Sequence, residues 1–108
     1  MNIYDLIAKT KKISAQFPQQ YQKHEYFMDM VEEVGELAQA MLIVDKRKTT
    51  NDPTKQKSIE DIADALADVL INVFMLAEAY KIDLPQEYSE MLNRLQKRVD
   101  NGEFVKHE

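Results

Sequence analysis

Three polar side chains interrupt an otherwise apolar stretch of the sequence in a pattern that suits cation binding. From residue 62 to residue 77 the only polar residues are Asp64, Asp68 and Asn72. In an α-helix, residues four apart lie about 40° from each other, so these three form one stripe. A carboxylate in apolar surroundings is costly unless it is protonated, paired or bound to a metal. The pattern favours a cation site, and the alternative is a stripe that simply faces water.

Residues beside this stripe help to decide between a cation site and a surface that faces water. Asp61 falls on the same side of the helix one turn earlier and adds a further carboxylate. Ile71 and Met75 lie in the same sector, and a water-facing surface would rarely alternate aspartate with large apolar residues. The stripe is therefore interpreted as a sheltered acidic edge that requires positive charge.

A second acidic group occurs earlier, in the segment VEEVGELAQAM. Glu33 and Glu36 are about 60° apart on a helix, so both can reach one ion. Glu32 lies about 100° from Glu33 and is expected to face solvent. Oxygen ligands without cysteine or histidine favour magnesium, manganese or calcium over zinc. Together with the aspartate stripe, these glutamates predict a divalent-cation site between two helices.

Apolar residues at steps of three and four predict four α-helices and no strand. Pro18 ends the first helix, Ser58 and Asp61 form a near capping box for the third, and Asn101-Gly102 stops the fourth. Four helices with short connections predict an all-α four-helix bundle, with residues 1–108 as one domain. The predicted helices extend from about Ile3 to Phe17, from Tyr21 to Lys46, from Ser58 to Tyr80, and from the Asp83–Pro85 connection to Val99.

The third predicted helix is apolar on nearly every side and should be buried on most of them. Three short neighbours give it little cover, so we expect a homodimer or homotetramer whose interface includes this helix. Gly35, inside the second predicted helix, costs about 1 kcal/mol relative to alanine. Either a neighbouring helix or ligand approaches closely there, or the glycine lies harmlessly on the surface.

The composition excludes several classes of function. The chain has no cysteine, which rules out disulfides, thiolate zinc sites and cysteine nucleophiles. A net charge of −5 argues against binding a nucleic-acid polymer, although a bound divalent cation would still attract a small anionic substrate. No apolar run approaches the roughly 20 residues of a membrane span, and the N-terminus does not resemble a signal peptide. We expect a cytoplasmic protein.

The two acidic segments resemble the motifs of the MazG-like, all-α NTP pyrophosphohydrolase superfamily. Residues 32–36, EEVGE, match the family pattern E-E-x-x-E, and Asp68 in ADVLI matches the aspartate of E-x-x-D. Residues 81–84, KIDL, are similar to the family's usual helix end. The resemblance covers about residues 27–95, and the two motifs together, at this spacing, carry it.

The chain departs from the family pattern at one position. Where E-x-x-D has its glutamate, this sequence has Ala65. Asp64 lies one residue earlier and can substitute, or Asp61 and Asp64 form an aspartate version of the motif one turn upstream. We favour Asp64 and Asp68 as core ligands, with Asp61 as an outer or alternative ligand.

The resemblance implies magnesium-dependent hydrolysis of a nucleoside triphosphate between its α- and β-phosphates, giving a monophosphate and pyrophosphate. Non-standard nucleotides are one candidate substrate class, and Mn²⁺ is an alternative to Mg²⁺. The competing hypotheses are a non-catalytic helical bundle that binds a metal or nucleotide or only mediates association, and a phosphoribosyl-ATP pyrophosphohydrolase of the same superfamily.

The expected site residues follow from both the stripe and the resemblance. Glu32 and Glu33 are the candidates for handling the attacking water. Asn72 and Lys48 are candidates for binding the substrate. A satisfied core amide explains Asn72 equally well, and a solvated loop charge is the default explanation for Lys48. Aromatic residues before the EEVGE segment can stack a nucleobase or merely pack. The expected metal ligands are Glu33, Glu36, Asp64 and Asp68, with Asp61 in the outer position.

Overall fold

The computed structural model describes residues 1–45 and 56–105, and its regular structure there consists of four α-helices. This confirms the all-α class, and every helix end that lies in these ranges is within three residues of the expected one. The predicted end of the second helix, Lys46, lies outside the described residues. The helices are α1 (Ile3–Ser14), α2 (Lys23–Val44), α3 (Ile59–Ala79) and α4 (Leu84–Asp100).

Local sequence signals explain where α3 begins and α1 ends. The backbone N–H of Ser58 donates to Oδ2 of Asp61 at 2.7 Å, which is the expected capping box with aspartate in the acceptor position. α1 stops at Ser14, earlier than expected, and the backbone N–H of Phe17 bonds to the Ser14 carbonyl in a tighter turn. The chain leaves the helical conformation there because Pro18 disfavours it in the residue before.

α2 and α3 form the main helix pair, and α1 packs more lightly against α3. Ala40 on α2 and Ala65 on α3 are both buried, and such small side chains allow two helix backbones to approach closely. An ion pair of 2.9 Å between Lys11 Nζ and Glu78 Oε1 connects α1 to α3. The acidic residues of α2 and α3 are thus carried by the one extensive interface of the described chain.

A single chain leaves much apolar surface uncovered. The radius of gyration is 18.0 Å, whereas a compact chain of this length has about 13 Å. α4 makes few contacts with the other helices, and Leu66 and Leu70 of α3 are about half exposed. The expectation that α3 is buried on most sides is therefore wrong for one chain alone. None of the described helices is long and apolar enough to cross a membrane.

Replacing each of the two glycines by alanine should change the free energy of unfolding in opposite directions. A Cβ atom at Gly35 would meet no other atom within 4 Å, which favours the surface explanation for this glycine. Gly35→Ala should therefore raise the free energy of unfolding by about 0.5–1 kcal/mol, because alanine restricts the unfolded chain and favours the helix. Urea denaturation of the metal-free protein measures this change.

Gly102→Ala is the matched control. Gly102 has a φ of +76°, a conformation that strains residues with a Cβ, so the same substitution there should lower the free energy of unfolding. A loss of stability in Gly35→Ala would contradict the open surface and would mean that another group approaches α2 at this point.

Candidate metal centre

Glu33, on the α3-facing side of α2, lies at the centre of the acidic group. Its side chain is half-buried, and its Oε2 atom is shielded from solvent. Within the described part of the chain, this oxygen has no hydrogen-bond partner. Leaving a buried carboxylate oxygen without a partner is costly, so the position calls for a proton or a cation.

The electrostatic surroundings of Glu33 strengthen this requirement. Burial, as the largest cause, raises the pKa of Glu33 to about 7. The negative charges of Glu36 and then Asp68 act in the same direction, as do a hydrogen bond with Glu36 and, last, the charge of Asp29. Three carboxylates, two from α2 and one from α3, are therefore close enough to oppose the ionisation of Glu33. The structure brings together Glu33, Glu36 and Asp68 of the expected set.

Asn72 links the two helices beside this group. The side chain is almost fully buried, and its Nδ2 donates to Asp29 Oδ2 at 3.1 Å and to the Asp68 carbonyl at 3.0 Å. The Asp29–Asn72 contact lies one helical turn from Glu33 on α2 and one turn from Asp68 on α3. A position one turn earlier on α2 therefore faces a position one turn later on α3, which means that the two helices run antiparallel here.

Asp29 is a functional candidate that the sequence analysis missed. It precedes Glu33 by four residues and Glu36 by seven, the spacing of one helix face. That signal was present in the sequence, but it does not distinguish a carboxylate at an interface from one in water. The structure shows that Asp29 belongs to the group, because Asn72 on the facing helix donates to it and its charge acts on Glu33.

The charges of two expected aspartates of the stripe, Asp61 and Asp64, are not among those that act on Glu33. Asp64 is exposed, as are Glu36 and Asp68. Asp61 Oδ2 accepts hydrogen bonds from the backbone N–H and the hydroxyl of Ser58, and these bonds, the backbone one first, lower the pKa of Asp61. Asp61 is thus engaged in starting α3, and its role as a ligand, like that of Asp64, stays a prediction.

The remaining expected residues differ in how far the structure describes them. Glu32 is exposed on the outer side of α2, as expected. The amide nitrogen of Asn72 donates two hydrogen bonds, and both acceptors are protein atoms. Lys48, the expected phosphate contact, lies outside the described residues.

The donor chemistry of the group fits a hard divalent cation. Its members Asp29, Glu33, Glu36 and Asp68 offer only carboxylate oxygens, the ligands that magnesium and manganese prefer. The shielded Glu33 oxygen provides a specific atom for such an ion. Among residues 1–45 and 56–105, no group of three histidine, aspartate or glutamate side chains is placed so that it could hold a metal ion. Glu36 and Asp68 are exposed, so the sheltered acidic edge expected from the sequence is present only at Glu33.

A cavity of about 180 Å³ adjoins the acidic group. Asp29 and Asn72 line it on one side, and Phe17, Tyr21 and Tyr26 supply aromatic walls. The rings of Tyr21 and Tyr26 lie 5.4 Å apart between centroids. Asp29 is the only charged residue in this lining, so the cavity suits a flat, neutral group with hydrogen-bond donors better than a phosphate.

The amino-acid sequence matches the model of a known protein family. The sequence model described as the MazG nucleotide pyrophosphohydrolase domain matches residues 22–102, which include all of α2, α3 and α4. No curated protein matches the chain.

Among solved structures, the crystal structure of iMazG from Vibrio DAT 722 is similar to this chain. The match covers 93% of this chain and 97% of that chain, with a TM-score of 0.57 and 24% sequence identity. At that identity, the likeness shows the fold alone.

The raised pKa of Glu33 gives a prediction for stability against pH. Unfolding returns the pKa of this carboxyl from about 7 to its ordinary 4.5. Between these values the folded protein binds the additional proton, so its free energy of unfolding should fall as pH rises from about 4.5 to about 7 and lose no more above that. Glu33→Gln should remove this contribution and be more stable than the natural protein at pH 8 without metal.

Denaturation at several pH values, in the presence of a chelator, measures the effect. Glu87→Gln, on the exposed side of α4, removes a carboxylate away from the group and should leave the pH profile unchanged. A Glu33→Gln protein with the same profile as the natural one would contradict the electrostatic description of the site.

Proposed function

The chain belongs to the MazG nucleotide pyrophosphohydrolase family, since that family's sequence model matches most of it, and we propose that it hydrolyses nucleoside triphosphates with Mg²⁺. Cleavage between the α- and β-phosphates would give a monophosphate and pyrophosphate. The observation that carries the proposal is the shielded, partnerless oxygen of Glu33 among other carboxylates. This arrangement lowers stability unless a proton or a cation is bound, which favours a cation-dependent site over a purely structural bundle.

Glu33, Glu36 and Asp68 are the side chains proposed to hold the ion. The Glu33 proton would leave on binding, because a cation offsets the repulsion that retains it. The sequence suggests Asp64 as a fourth ligand, and Asp29 is the other carboxylate beside Glu33 that competes for that place. Ligands from two helices would fix the ion at the α2–α3 interface, with Mn²⁺ as an alternative to Mg²⁺.

The proposed chemistry divides between the ion and the protein. A bound Mg²⁺ supplies Lewis acidity that polarises phosphoryl oxygens and lowers the pKa of water. Glu32, which is exposed next to Glu33, would orient the attacking water or accept its proton. The carboxylates would hold the phosphates in place through the ion, and positioning of this kind accounts for most of the catalysis in phosphoryl transfer.

The cavity beside Asp29 is proposed to receive the nucleoside part of the substrate. Its aromatic walls Phe17, Tyr21 and Tyr26 would stack a base. Lys48 would contact the phosphates and Asn72 the sugar or a phosphate, the roles that the sequence suggests for them. A substrate in this position would have its phosphates at Glu33, one turn along α2 from Asp29.

The activity is tested by release of pyrophosphate from a panel of canonical and modified nucleoside triphosphates, together with phosphoribosyl-ATP. We expect hydrolysis that a chelator abolishes. Glu36→Gln and Asp68→Asn should each lower kcat/KM by about 100-fold or more, or about 2.7 kcal/mol, because each removes an oxygen ligand from the ion. Glu87→Gln is the matched control and should keep the natural rate.

Two outcomes would contradict the proposal. Activity that survives both substitutions would place the site elsewhere. If Glu36→Gln and Asp68→Asn instead raise the stability of a protein that hydrolyses nothing on the panel, a non-catalytic bundle would be the better explanation, since relief of repulsion would be their only effect.

A homo-oligomer is proposed as the active form. α4 presents an apolar stripe at helical spacing that the rest of the chain leaves exposed. A stripe of this kind, rimmed by charged residues, is typical of a protein–protein interface. The stripe consists of Tyr88, Met91, Leu92, Leu95 and Val99.

The mass of the particle in solution tests this assembly. Light scattering after size exclusion should give at least twice the chain mass of 12.6 kDa. Leu92→Lys should shift the distribution towards the monomer, because it buries a charge in the interface. Glu87→Lys on the same helix is the control and should leave the mass unchanged. A monodisperse monomer of the natural protein would contradict the assembly.

A further inference from the structure

The carboxylate that the family pattern places at position 65 is missing from this chain. Ala65 stands there and is buried, 7% exposed, in the α2–α3 interface. We propose that Asp29 on α2 supplies the fourth carboxylate of the metal centre in its place. The inference rests on the proposed function, because it concerns the ion that this function requires.

The first support is the way in which Asp29 is held. Asn72 is 4% exposed, and its Nδ2 connects the Asp68 carbonyl to Asp29 Oδ2. The Asp29 carboxylate is thereby attached to the same turn of α3 that carries Asp68. This contact engages Oδ2, which leaves Oδ1 to bind the ion directly or through a water. An oriented carboxylate loses less entropy on binding than a free one.

The second support is the helix register. Asp29 lies opposite Asn72, and Glu33 lies next to Asp68, so each turn back along α2 matches one turn forward along α3. Continued in the other direction, this register places Ala65 opposite Glu36. The chain therefore lacks a carboxylate at the Glu36 end of the group and has an additional one at the Asp29 end.

The third support is the contrast with Asp64, the substitute that the sequence suggests. Asp29 is half-buried and is held by Asn72 beside the turn of α3 that carries Asp68, whereas Asp64 is exposed. With Asp29 as the fourth donor, three carboxylates come from α2 and one from α3. An ion bound in this way is centred one turn further towards the aromatic cavity.

Paired amide substitutions test the assignment without measuring activity. Mn²⁺ alone, which takes the same oxygen ligands as Mg²⁺, is titrated into the natural full chain and into Asp29→Asn and Asp64→Asn, with free ion measured by electron paramagnetic resonance. Asp29→Asn should weaken binding by about 10-fold or more, and Asp64→Asn by less than about twofold. The amide oxygen introduced by Asp29→Asn can still accept the hydrogen bond from Asn72, so the helix contact is retained.

The results separate the possible failures. If the natural protein binds Mn²⁺ and Asp29→Asn binds equally well, or if Asp64→Asn is the weaker of the two, the role of Asp29 is overturned and the proposed function stands. If the natural protein neither binds the ion nor releases pyrophosphate, both fail together.

Restoring the family residue tests the exchange itself. Ala65→Glu in the Asp29→Asn background should recover Mn²⁺ affinity to within about threefold of the natural protein, because the total number of carboxylates is restored. A double variant with the natural circular dichroism spectrum and persistently weak binding would overturn the idea that Asp29 compensates for Ala65.

Discussion

Repulsion among carboxylates at the α2–α3 interface is the constraint to which the rest of the molecule is adapted. Glu33 has one oxygen shielded from water without a partner, and Glu36 and Asp68 oppose its ionisation. No lysine or arginine from the described residues relieves this charge by an ion pair, since the ion pairs of that part of the chain lie at Lys11 and Arg98. An arrangement that costs stability and is not neutralised internally is typical of a functional site.

Few hydrophobic side chains of the described residues are fully removed from solvent. Ala40, Ala65 and Phe74 are the buried hydrophobic residues of the described chain, and none of them is entirely inaccessible. A core of this size offsets little of the conformational entropy lost on folding. The exposed stripe of α4 and the exposed leucines of α3 are the surfaces on which the proposed homo-oligomer rests.

The sequence predicted the helices well because their signals are local. Apolar periodicity, the Ser58–Asp61 box and Pro18 act within a few residues of the structure they determine. The acidic group depends instead on how α2 lies against α3. Periodicity places Asp61 and Asp64 on the stripe of Asp68 but cannot show which of the three lies near enough for its charge to act on Glu33. For the same reason, Asp29 was not recognised without Asn72.

Because its proposed ligands come from two helices, an ion at this site would act on folding as well as on chemistry. A cation that binds only the folded chain stabilises it in proportion to the logarithm of its concentration over its dissociation constant. In a protein with a small core, that contribution is a substantial part of the whole. Repulsion lowers the stability of the metal-free chain, and the same repulsion strengthens its attraction for a cation. The acidic interface therefore couples the integrity of the α2–α3 pair to the ion proposed for catalysis, and one set of side chains serves both.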